Sequence, residues 1–90
     1  MRGIKIHHTR LGKLMKQGRE RRGLVLEEAA MLIGLTNGQY LWRCEKGEHG
    51  NFPARSVVRA LELYGIAKAD AITAICDDFK AATIEYLRKK

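Results

Sequence analysis

Within residues 37–46, five side chains of this sequence carry recognisable recognition chemistry. Gln39, Trp42, Arg43 and Lys46 share one face of a short helical pattern, and Tyr40, Leu41 and Cys44 form an apolar stripe on the other. Asn37 stands just ahead of them. A glutamine amide matches the N6 and N7 edge of adenine, and an arginine fork matches O6 and N7 of guanine. Asn37, Gln39, Trp42 and Arg43 are therefore the candidate base readers, and Lys46 beside them suits a backbone phosphate. Trp42 has two readings. It either meets a thymine methyl or a sugar from an outward face, or it packs beneath the loop that follows.

Those side chains need a scaffold. The segment before them, with Leu26, Ala29, Ala30 and Ile33 at i, i+3, i+4 and i+7, is a second amphipathic helix. Both segments are too short to stand alone, so each needs a packed neighbour. The small Ala30 suits a close crossing, and Gly34 suits the tight turn between them. Two short helices joined this way, the second with an outward polar face, are the pattern of a helix-turn-helix.

The spacing of Leu11-Gly12, Arg19, Gly23-Leu24, Glu27-Glu28, Ala30, Gly34, Leu41, Glu45, Gly47 and Pro53 extends that pattern. From Leu11 to Ile66 the chain resembles the Cro/C1-type (XRE-like) DNA-binding domain of phage repressors and their bacterial relatives. The turn after Gly34 is one residue longer than in the commonest members. Gly18 stands where a large apolar residue is usual, and Leu26 replaces a frequent polar one. The resemblance implies an ion pair between Arg19 and Glu45 that locks the third helix onto the first. It also implies backbone contacts at Asn51 and Arg55. The function implied is transcriptional regulation, more often repression, by a homodimer on a palindromic operator in double-stranded DNA. An antitoxin or adaptor that uses the same fold to bind a protein partner is the alternative.

Charge agrees with a polyanion partner. The chain has 90 residues and a net charge of +7. Residues 1–22 hold eight Lys or Arg against the single acid Glu20, while residues 23–90 balance nine against nine. All the excess lies in the arm and first helix, a segregated positive patch of the kind nucleic-acid binders carry. Arg2, Lys5, Arg10 and Lys13 are the expected backbone contacts there.

Other classes find less support. No apolar run approaches the roughly 20 residues of a membrane span, and the basic N-terminus lacks the apolar core of a secretory signal. Cys44 and Cys76 both read as small reduced core residues, consistent with the cytoplasm. His7 and His8 point to opposite faces of an extended chain, and only the remote His49 could join them, so no metal site is expected. No phosphate loop, nucleophile–base arrangement or ligand cluster suggests an enzyme or a cofactor.

The periodicity predicts an all-α, five-helix bundle: a basic arm over residues 1–9, a DNA-binding domain over 10–66 and a C-terminal helix over 67–90. Helix 1 begins near Thr9 as N-cap, and buries Leu11, Leu14, Met15 and Gly18. Glycines 23, 34, 47 and 65 each follow an apolar segment and end a helix. Helix 4 is expected to bury Val57, Val58, Leu61 and Tyr64. Helix 5, from about Ala69 to Arg88, carries Ile72, Ile75, Phe79, Ala82 and Tyr86 on an approximate heptad stripe. Part of it should close the bundle. Ile72, Ile75, Phe79 and Tyr86 are the candidate dimer contacts.

Overall fold

A computed structural model describes residues 6–48 and 55–89. Arg2, Lys5, His49, Asn51 and Pro53 lie outside those residues. The described chain is all-α, with α1 over Thr9–Arg21, α2 over Leu26–Leu32, α3 over Gln39–Glu45, α4 over Arg55–Leu63 and α5 over Lys68–Arg88. Helix α1 is the hub, in contact with α3, α4 and α5. Leu11, Met15, Ala29, Ala30, Ile33, Leu41, Cys44, Val57, Ala60 and Tyr64 make the core between them.

Four of the helices end in one way. The residue after the helical cap is Gly23, Gly34, Gly47 or Gly65, each with φ between 69° and 87°. The next amide reaches back five residues: Leu24 to the Arg19 carbonyl at 3.2 Å, Leu35 to Ala30 at 2.8 Å, Glu48 to Arg43 at 3.0 Å and Ile66 to Leu61 at 3.0 Å. These are Schellman motifs, which satisfy the last carbonyls and turn the chain sharply. Leu24, Leu35 and Ile66 then fold back against the core, so three of the four turns are pinned by an apolar side chain.

Three sequence expectations need correction. Thr9 is the first helical residue of α1, and His8 takes the cap position with no side-chain cap bond. The capping acceptor comes instead from α5. The Asp78 carboxylate accepts the Arg10 amide at 3.1 Å and the Leu11 amide at 3.2 Å. Those are the donors that an N-cap side chain normally takes.

The second correction concerns α5 itself. Its inner face is Ala71, Ala74 and Asp78, with Ile75 partly buried beside them. Small residues let α5 lie close to α1, and the bulky ones turn outward: Ile72 is 59% exposed and Phe79 54%. Cys76 is on that outer side, exposed rather than in the core, while Cys44 is buried. Ile75 faces inward and is not on the exposed stripe. Third, Val58 is exposed, because α4 centres its buried face on Val57, Ala60 and Tyr64.

Asp78 is 1% exposed, and its charge is also met by Arg10 Nη1 at 3.4 Å. Replacing it with alanine leaves two amides at the start of α1 without their acceptor. Asp78→Ala should lower unfolding stability by about 1–3 kcal/mol, measured by urea denaturation followed by circular dichroism. A change within about 0.5 kcal/mol, as at an ordinary surface position, would show that the cap contributes nothing net.

Candidate nucleic-acid interface

The outward face of α3 is built on backbone proximity beneath it. Gly12 of α1 sits against the end of α3, where an added Cβ would fall 2.5 Å from both the Cys44 and Glu45 carbonyl oxygens. Gly47 closes the same seam: its carbonyl accepts the His8 amide at 3.2 Å, and a Cβ there would fall 2.8 Å from the Thr9 nitrogen. Gly18, farther along α1, makes room for side chains instead, Tyr64 and Ile66.

Arg19 ties the seam together. Its Nε donates to Glu45 Oε2 at 2.8 Å, its Nη2 donates to Oε1 at 3.1 Å, and its Nη1 donates to the Leu24 carbonyl at 2.8 Å. Both side chains are largely shielded, 12% and 7% exposed. The hydrogen bond to Glu45 raises the Arg19 pKa above its ordinary value, against the opposing effect of burial. Nearby, burial pushes the Tyr64 hydroxyl up to about 12 and the Cys44 thiol up to about 11. Both stay protonated at neutral pH.

The start of α3 is braced from α2. Glu27 Oε1 accepts the Gly38 amide at 3.0 Å, and a Cβ on Gly38 would fall 2.9 Å from both Glu27 Oε1 and Leu26 Cβ. Asn37 Oδ1 accepts the Gln39 amide at 2.9 Å, a local turn on the exposed side of the entry to α3. Glu28 Oε1 accepts the Val25 amide at 3.1 Å, which secures the entry to α2. Arg59 Nη1 reaches the Ile33 carbonyl at 3.4 Å and ties α4 to the end of α2.

On this base Gln39, Trp42, Arg43 and Lys46 are all exposed, while Leu41 and Cys44 are buried. Trp42 is 45% exposed. The Lys46 ammonium lies 3.8 Å from its ring centroid, a cation–π contact worth about 0.5–1 kcal/mol at an exposed site. Lys13 and Arg55 are also exposed, and Arg10 is divided between solvent and Asp78. Sequence reading missed Gly12, Gly38 and Asp78 as positioning residues. The signal available was one glycine in the first turn of α1 and another at the N-cap of α3. No signal distinguished Asp78 from the solvated Asp77.

Among the described residues no cluster of His, Cys, Asp or Glu could hold a metal ion, and no helix is long and apolar enough to cross a membrane. A family model described as a helix-turn-helix domain matches residues 10–74. This chain belongs to the helix-turn-helix domain family. The match begins in α1 and runs into α5, so the Asp78 cap lies just beyond its end. The curated proteins give no match.

The helix-turn-helix seam makes a sharp prediction at Gly12. In a free helix, glycine to alanine stabilises by about 1 kcal/mol. Here the methyl would strike two backbone oxygens that cannot swing away. Gly12→Ala should therefore destabilise, by about 1–3 kcal/mol as overpacking does. In a chain this size that lowers Tm by about 4–8 °C per kcal/mol. A thermal melt showing an equal or higher Tm would mean the seam opens without cost.

Proposed function

We propose that this protein is a sequence-specific double-stranded DNA-binding regulator that reads its site with α3 and binds as a homodimer, most simply as a repressor. The observation that carries the reading is the braced, outward-facing set Gln39, Trp42, Arg43 and Lys46 on the second helix of a helix-turn-helix. Gln39 and Arg43 have the donor geometry to read adenine and guanine, with Asn37 and Trp42 flanking them. Arg10, Lys13, Lys46 and Arg55, together with Arg2, Lys5 and Asn51, supply phosphate contacts that orient the domain without reading sequence. Support for that division comes from the charge: the entire net +7 belongs to residues 1–22.

The homodimer rests on a second observation. Ile72 and Phe79 are exposed on α5 together with Tyr86 and Leu87, more apolar surface than a lone domain needs. A single α3 reads few base pairs, and a two-fold pair held at fixed spacing doubles that number. The same apolar face also suits a different protein, as in an antitoxin or adaptor.

Selection of duplexes from a random pool tests both points. The expected product is a palindromic consensus with half-sites one helical turn apart. Against that consensus, Arg43→Ala should lose about 1–3 kcal/mol and flatten the preference at one base pair of each half-site. Lys13→Ala should weaken all sequences alike. No enrichment from the pool, or equal Arg43→Ala losses on selected and scrambled duplexes, overturns the reading. An enriched site without symmetry moves the α5 face to the protein-partner alternative.

A further inference from the structure

The cation–π pair on α3 is set by the backbone beneath it. Trp42 and Lys46 stand four residues apart, and the Lys46 amide donates to the Trp42 carbonyl at 3.2 Å. Lys46 is the α3 cap residue, held against the start of α1 through Gly47. Side chains on a helix lean toward its N-terminus, so the lysine stem runs back over the turn that carries the indole. Its ammonium ends 3.8 Å from the ring centroid on the solvent side of the helix. No carboxylate forms an ion pair with Lys46 among the described residues.

An ammonium has three donors. One side of it faces the indole here, which accepts no conventional hydrogen bond. The remaining donors point away from the ring, where an anion oxygen can approach. A free lysine must give up the freedom of a four-carbon stem to meet a phosphate. One already resting on an indole has given up most of it.

We propose that Trp42 is a positioning residue whose ring holds the Lys46 ammonium at the rim of α3, so that the two bind a DNA backbone phosphate as one stacked unit of indole, ammonium and phosphate. This rests on the DNA-binding reading and goes beyond it by coupling two side chains that would otherwise act separately. The unit charges the rim of the reading face without engaging Gln39 or Arg43.

The test is a double-mutant cycle on a duplex recovered by selection with the wild-type protein. It uses Trp42→Leu, Lys46→Met and the double variant, each checked for fold by circular dichroism, with affinity measured across a salt series. Lys46→Met keeps the stem and removes the charge, so its salt slope should fall by about 0.9, one phosphate contact. Lys46→Arg keeps the charge and stacks on the ring, and should retain the wild-type slope. Once the ring is gone, the lysine is no longer positioned. The double variant should therefore lose less than the product of the single losses, by about threefold or more. An unchanged slope in Lys46→Met, or losses that multiply, overturns the inference while wild-type binding leaves the DNA reading standing. A wild-type protein that enriches no duplex overturns both.

Discussion

Arg19 grips both oxygens of Glu45 across a seam that Gly12 and Gly47 close to backbone contact. A helix of seven residues has no stability of its own, so α3 takes its position wholly from what it touches. Close approach without Cβ atoms fixes its distance from α1, and the fork of Arg19 fixes its rotation. Lysine could not take this place, because a point charge holds no plane. Every outward side chain of α3 inherits its direction from this seam.

The same economy appears at the start of α1. There Asp78 of α5 supplies the cap that the local sequence lacks, since His8 makes no side-chain cap bond. The hub helix is thus fastened at one end by α5 and along its length by α3. A long α5 has two occupations. Ala71, Ala74 and Asp78 dock it on the bundle, and the bulkier residues that dock nowhere remain outside. Docking is thereby confined to one face of the helix.

Much of this was legible beforehand. The four glycines that end helices fall where the periodicity puts them, because a left-handed turn leaves little choice of residue. The buried stripes of α2 and α3 were readable as well, since large and small apolar residues alternate with polar ones at helical spacing. Reading failed where size misled. On α5 part of the bulky stripe was expected to close the bundle, but the inner face is made by alanines, which carry little hydropathic signal, with Ile75 partly buried beside them. Asp78 was illegible for a different reason: its acceptors are used by residues 67 and 68 positions away in sequence. Gly12 was part of the spacing that suggested the fold, yet nothing local revealed that it faces the carbonyls of α3.

If the seam aims α3, loosening it should harm discrimination more than adhesion. The direct measurement compares Glu45→Gln with wild type for affinity on a selected duplex and on a scrambled one at a single salt concentration. Glutamine keeps the shape and removes the charge that Arg19 grips. The expected result is a folded protein whose scrambled-site affinity is nearly unchanged. Its preference for the selected site should fall by roughly tenfold or more, the weight of one misaligned base contact. A folded Glu45→Gln protein with the full wild-type preference would contradict the account, because α3 would then hold its aim without the pair.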